Sequence, residues 1–202
     1  MAGLIFGFTG PMFSGKTTKL LMHYERKLIA GEKSALFKPL IDKRYGNDVK
    51  THFGYGFEAF LVKDSGELLE RVKQLSTRPL TYLLNQKQIK LEGKLKNVFI
   101  DEIQFFDSGI IEVILNLRKE LNIYWSGLNQ DYTGKPFYFR DRKDHIGTLM
   151  AYSDDVDFSQ AVCAVCGRDA TKTFRKRKIK GNPLIVIGGS ELYEARCVDH
   201  YY

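Results

Sequence analysis

The strongest constraint on this chain lies near its start, in Gly10-Pro11-Met12-Phe13-Ser14-Gly15-Lys16-Thr17. The spacing G-x-x-x-x-G-K-[ST] is that of a phosphate-binding loop, and the flanks suit one. Leu4–Phe8 is a short apolar run of the kind a buried strand shows. Thr18–Ala30 carries Leu20, Leu21, Tyr24, Leu28 and Ile29 at helical spacing, and Gly31 supplies a stop. A strand, a glycine-rich turn and a helix in that order aim backbone N–H groups and a helix N-terminus at an anion. Residues Gly10 to Thr17 then form an ATP cradle, with Lys16 reaching the β- and γ-phosphates and Thr17 offering its hydroxyl to Mg²⁺.

The 202 residues suffice for one substantial domain and a small appendage. The formal charge of +7 favours anionic ligands, nucleotides and nucleic acids alike. Leu4–Phe8 is too short for a leader, and no apolar run approaches a membrane span, so a cytoplasmic protein without membrane contact is expected.

Further along, Ser34–Pro39 reads as a second strand. Residues 41–55 are turn-rich and carry Asp42, Arg44, Tyr45, Thr51 and His52, in a loop long enough to be functional. Glu58–Val62 is a third strand. Asp64 or Ser65 caps a helix that buries Leu68, Leu69, Val72 and Leu75. Tyr82–Leu84 reads as a strand, and the lysine-rich stretch 87–96 as a solvated turn, with a basic contact patch as the other reading. Ser108–Leu121 is an amphipathic helix, Ile123–Gly127 a strand, 129–139 a polar and aromatic loop, and His145–Tyr152 a short helix.

Between these lies Asn97-Val98-Phe99-Ile100-Asp101-Glu102. An apolar strand ending in two carboxylates brings them to the sheet edge where open α/β sheets bind ligands. Asp101 there can organise Mg²⁺, which leaves Glu102 free for another task. Strands alternating with helices imply an α/β fold, a mostly parallel sheet flanked by helices of the P-loop (RecA-like) kind, over residues 1–152.

The tail changes character near Ser153. Cys163-x-x-Cys166 and Cys197-x-x-His200 are two metal half-sites, and an odd cysteine count argues against a closed disulfide framework. Three thiolates and an imidazole form a closed tetrahedral zinc set, hence a structural Zn²⁺ in a small domain over 153–202. The basic stretch Lys172, Arg175 to Lys178 and Lys180 turns at Gly181-Asn182-Pro183 and returns as Leu184–Ile187, a hairpin pinned by the metal. Its basic residues read as a solvated strand face, or as a contact to phosphate or nucleic acid.

Taken together, the chain resembles the cytosolic-type (type II) thymidine kinases. The resemblance rests on Gly10 to Thr17, Lys38-Pro39, Asp42-x-Arg44-Tyr45, Thr51-His52 and Asp101-Glu102-x-Gln104-Phe105-Phe106. It continues through Gly127-Leu128, Gly134-Lys135-Pro136-Phe137, Cys163-x-x-Cys166 and Ile187-Gly188-Gly189-x-x-x-Tyr193. It implies transfer of the ATP γ-phosphoryl group to the 5′-hydroxyl of thymidine, and of deoxyuridine in many members. Glu102 aligns with the general base, and Arg44 with a residue that stabilises phosphate charge. Met12, Phe105, Leu128, Tyr132 and Phe137 match the walls of the base pocket, and Thr173 and Tyr193 lie near the thymine. A zinc-anchored lasso bearing Ile187, Gly188 and Gly189 would close over the nucleoside. The resemblance also implies a homotetramer inhibited by thymidine triphosphate. Two departures are His200, where many members have a cysteine, and a longer 76–97. The alternative, a zinc-containing nucleic-acid-binding ATPase, has little room for a motor in 202 residues.

Overall fold

The computed structural model describes residues 2–44, 46–51, 54–84, 86–177 and 185–202. Tyr45, His52 and the turn Gly181-Asn182-Pro183 with Leu184, all singled out above, lie outside the described residues. So do Lys178 and Lys180 of the basic stretch.

Six strands form one sheet, and every pairing in it is parallel. In chain order they are β1 (Ile5–Gly10), β2 (Ser34–Pro39), β5 (Phe60–Val62), β8 (Asn97–Ile100), β9 (Asn122–Leu128) and β10 (Asp155–Phe158). Their spatial order is β10-β1-β9-β8-β2-β5. Parallel strands need crossovers, and these are α1 (Lys16–Ile29), α2 (Ser65–Ser76), α3 (Ile110–Leu117) and α4 (Ile146–Tyr152). Both faces of such a sheet are covered, so its central strands read as continuous apolar runs: β2 and β8 are buried at every position. The aromatic rings of Phe6, Tyr124 and Phe99 stack across β1, β9 and β8, with centroids 4.9 and 4.4 Å apart. Tyr24 of α1 meets Phe99 edge-on.

Four short hairpins sit around this sheet. Two small ones are β3 (Asp48–Lys50) with β4 (Gly56–Glu58), and β6 (Leu80–Leu84) with β7 (Lys87–Leu91). The C-terminal region pairs β11 (Ala161–Val162) with β12 (Asp169–Ala170), and β13 (Lys172–Arg175) with β14 (Tyr193–Arg196), before α5 (Val198–Tyr201).

Several expectations change. The 41–55 loop holds β3, and Glu58–Val62 divides between the β3–β4 hairpin and sheet strand β5. The first half of the lysine-rich stretch, Lys87–Leu91, is strand β7, not a turn; 92–96 is irregular. Ile89 and Leu91 are half-buried at alternate positions, a period-2 signal that the charges overshadowed. Ile29 is exposed at the last turn of α1, whose buried face is Leu20, Leu21, Tyr24 and Leu28. The strand that returns to β13 is β14, and Ile185–Gly189 adopts no regular structure. The division expected at 152–153 precedes β10, which is itself the edge strand of the main sheet beside β1. Among the described residues, no helix is long and apolar enough to cross a membrane.

Candidate functional site

At the C-terminal ends of β1, β2, β8 and β9 the chain turns away from the sheet, and those four turns surround one cleft that opens to solvent. From β1 come Met12, Phe13, Gly15, Lys16 and Thr17; after β2 come Asp42 and Arg44. The β8 end supplies Asp101, Glu102 and Phe105, and the β9 end Leu128, Tyr132 and Phe137. Thr173, Ile187, Gly188 and Tyr193 line it from the C-terminal region. Gly10, Pro11, Ser14 and Gly189 belong to the same loops without lining it.

The first turn is built by glycine. A Cβ on Gly10 would stand 2.1 Å from the Ser159 carbonyl oxygen. Gly15, with φ of 79°, caps α1 in a left-handed conformation that leaves the helix N-terminus uncovered by any side chain. Lys16 Nζ folds back to donate to the Pro11 carbonyl at 2.5 Å and lies near Ser14 Oγ at 3.4 Å. Burial lowers the Lys16 pKa to about 8, while Glu102 and Asp101 oppose the shift. The ammonium therefore predominates at neutral pH.

Asp101 is buried. It accepts from Thr17 Oγ1 at 3.1 Å and from Ser126 Oγ. Burial, then the Glu102 charge, pushes its pKa up to about 6, against the hydroxyls of Ser126 and Thr17 and the Arg44 charge. Glu102 turns the other way because its backbone is left-handed, with φ of 51°. It accepts from Arg44 Nη2 through Oε1 and from Gln104 Nε2 through Oε2. Gln104 is fully buried, and its other amide atom accepts from the Leu128 N–H at 3.1 Å.

Arg44 is held from behind. Asp42 receives its Nε at 2.7 Å and its Nη2 at 3.1 Å, a bidentate pair. Buried Lys38 stands 3.6 Å from Asp42 and donates to the Asp48 carbonyl. Glu102 is the largest influence raising the Arg44 pKa. Burial would raise Asp42, but the Arg44 hydrogen bonds and charge, with Lys38, bring it below its ordinary value.

The far wall is anchored as firmly. Asp131 Oδ1 accepts from the Thr133 N–H at 2.7 Å and the Thr133 hydroxyl at 2.6 Å, which shapes the turn presenting Tyr132. Thr173 Oγ1 accepts from the Met12 N–H at 2.9 Å, tying β13 to the β1 turn. Tyr193 Oη donates to the Val186 carbonyl at 2.8 Å.

Cys163, Cys166, Cys197 and His200 place their ligand atoms within 4.8 Å of one another. A tetrahedral zinc with Zn–S bonds of about 2.3 Å needs sulfurs about 3.8 Å apart. The Cys166 and Cys197 sulfurs are 3.8 Å apart, and Cys163 Sγ lies 3.8 Å from His200 Nδ1. Burial raises the Cys163 thiol, but backbone N–H groups of Cys197, Val165 and Cys166 outweigh it and favour the thiolate a metal requires. The four residues fit Zn²⁺ with no open position, as a structural site demands.

Sequence reasoning missed two kinds of residue here. Gln104 and Ser126 support the two acids from buried positions; Gln104 stood in a quoted motif without a task. Arg175, read as part of a solvated basic face, is buried with its guanidinium 3.6 Å from the centre of the Tyr132 ring. The alternation Thr173 and Arg175 on one strand face was a visible signal; what that face meets was not.

A family model described as thymidine kinase matches residues 3–201. A thymidine kinase of Thermococcus kodakarensis is 36% identical over 205 aligned residues, covering 98% of this chain and 94% of the relative. One from Pyrobaculum aerophilum is 36% identical over 199, covering 95% of each.

Proposed function

The chain belongs to the thymidine kinase family, and on that premise we propose how its cleft phosphorylates thymidine at the expense of ATP. The proton acceptor is Glu102. As the thymidine 5′-oxygen attacks the γ-phosphorus, the hydroxyl proton passes to the Glu102 carboxylate, the bond from the γ-phosphorus to the β–γ bridging oxygen breaks, and ADP leaves. The observation that supports this assignment is the division of labour between adjacent acids. Asp101 is buried against Thr17 and Ser126, whereas Glu102 turns into the cleft beside Arg44.

Residues Gly10 to Thr17 cradle the ATP phosphates through backbone N–H groups, and Lys16 neutralises the β- and γ-phosphates. Arg44, preset by Asp42, offsets the charge of the phosphoryl group in transfer. Thr17 and Asp101, an oxygen donor pair 3.1 Å apart, suit a hard cation, and would hold Mg²⁺ directly or through water. Mg²⁺ supplies charge neutralisation across the phosphates. Met12, Phe105, Leu128, Tyr132 and Phe137 enclose the pyrimidine. Thr173, Tyr193 and the backbone of Ile187 and Gly188, with Gly189 next in the same loop, complete the pocket and exclude water. Residues 159–202 form the zinc-anchored module and 2–158 the catalytic body, a division that follows β10. A cytoplasmic homotetramer under feedback by thymidine triphosphate completes the proposal.

The test is product formation from labelled thymidine with Mg-ATP, with Glu102→Gln alongside. We expect thymidine monophosphate from the native chain and a loss of roughly 10²–10⁴-fold in kcat for the variant, with nucleotide binding retained. Near-native turnover by Glu102→Gln would refute the assignment.

A further inference from the structure

Arg175 has no task in the chemistry just described, yet it is one of the few buried cations among the described residues, at 8% exposure. It sits on β13 directly opposite Tyr193 of β14. The burial of β13 alternates, with Thr173 and Arg175 buried and Lys172 and Phe174 less so. Thr173 is spent on the Met12 N–H. Arg175, one step along the same face, stacks its guanidinium on the Tyr132 ring at 3.6 Å and donates from Nη2 to Tyr193 Oη at 3.3 Å. Tyr193 Oη in turn donates a hydrogen bond to the Val186 carbonyl at 2.8 Å. One side chain thus ties the turn after β9 to the β13–β14 pair, and through Tyr193 to the irregular segment 185–189 that precedes β14.

Arg175 does not line the cleft; Tyr132, Val186 and Tyr193 do. It stands behind them, where a planar cation can grip a ring face and a phenol oxygen together. The turn it grips is itself fixed, because Tyr201 Oη donates to the Tyr132 carbonyl at 2.8 Å. The segment it controls belongs to no strand or helix, so its course depends on such tethers.

We propose that Arg175 is a positioning residue that latches segment 185–189 over the nucleoside end of the cleft, by bridging Tyr132 and Tyr193. The latch sets affinity for the nucleoside and leaves the phosphate end alone. That consequence rests on the nucleoside reading of the cleft; the latch itself does not.

Two measurements separate them. Hydrogen exchange on the substrate-free protein tests the latch: Arg175→Met should speed exchange of amides 185–193 by about tenfold or more, with zinc content unchanged. Arg175→Lys should not rescue, since it keeps the charge and loses the planar fork, whereas Tyr132→Phe, which keeps the ring face, should exchange like the native chain. Steady-state kinetics tests the consequence: Arg175→Met should raise KM for thymidine about tenfold or more while KM for ATP stays within about twofold. Native exchange rates in zinc-loaded Arg175→Met, or full rescue by Arg175→Lys, would overturn the latch. Faster exchange with both KM values unchanged would overturn its role in nucleoside affinity. If no thymidine is turned over by the native chain, the exchange result still stands or falls alone.

Discussion

Glu102 and its neighbours show how much a single backbone angle decides. A glutamate with φ of 51° occupies a region that costs a non-glycine residue on the order of 1 kcal/mol. That twist separates the two adjacent carboxylates, one sealed against Thr17 and Ser126, the other turned toward Arg44. Gln104 holds the result in place, because its carbonyl is already committed to the Leu128 N–H and only its amine can face Glu102. Gln104→Met keeps the length of the side chain and loses both bonds. It should lower kcat by about tenfold or more and change KM for thymidine less, since the lost contacts orient the acid. Equal kcat in variant and native protein would remove Gln104 from the support of Glu102. Both acids were legible from the strand that precedes them. Gln104 was visible only as a letter of a motif, because its partner Leu128 comes from another strand.

Between elements, the joints are made by short polar side chains. Asp107 accepts from the Ser65 N–H at 2.9 Å, the Ser65 hydroxyl at 2.6 Å and the Gly109 N–H at 3.1 Å. It thereby joins the start of α2 to the start of α3, beside the cap that Asp64 provides for Glu67. Burial would raise the Asp107 pKa, but the Ser65 and backbone donors outweigh it and hold the carboxyl below its ordinary value. A carboxyl lowered in the folded state stabilises above its unfolded pKa, about 3.9, and that stabilisation is lost as pH falls through the folded value. Asp107→Ala should therefore cost about 1–2 kcal/mol at pH 7. Thermal melts should show the gap from the native chain narrowing below about pH 4. A gap independent of pH would mean the carboxylate is not the source. At this scale the cap of α2 was legible, since an aspartate stood before an amphipathic run. Strand β6 was legible in part as Tyr82–Leu84, but its partner β7 was not, because Ile89 and Leu91 alone carry too weak a period against the lysines around them.

For the molecule as a whole, two cores of unequal strength share one site. The sheet and its helices bury most of the apolar side chains, whereas the core beside the cysteines is, among the described residues, the small cluster of Ala161, Cys163, Ala170, Ala195 and Cys197. So small a cluster gives a metal held by Cys163, Cys166, Cys197 and His200 a structural task there, as the proposed zinc would have. Phe13, from the turn that carries Lys16, packs on that small core, and Met12 is tied to Thr173. Loss of zinc therefore reaches the cleft through two adjacent residues. Cys163→Ser should bind well under about one zinc per chain and exchange the amides of β13 and β14 faster. KM for thymidine should rise with it. Full zinc occupancy in Cys163→Ser, by elemental analysis, would sink the ligand assignment. Arg175→Met differs from this variant in keeping its zinc, so the two losses can be told apart.

By itself, the sequence determined the strand–turn–helix at Gly10 to Thr17, the acid pair at the end of an apolar strand and the two metal half-sites. Each is a local pattern whose chemistry follows from spacing along the chain. The tertiary structure alone decided that the sheet is wholly parallel, that β10 beyond position 152 completes it, and that β13 pairs with β14. It also decided that Arg175 leaves solvent to lie on Tyr132. The physical reason is the same in each case: strand partners and buried ring contacts are chosen by packing between segments far apart in the chain, and no local period encodes the partner.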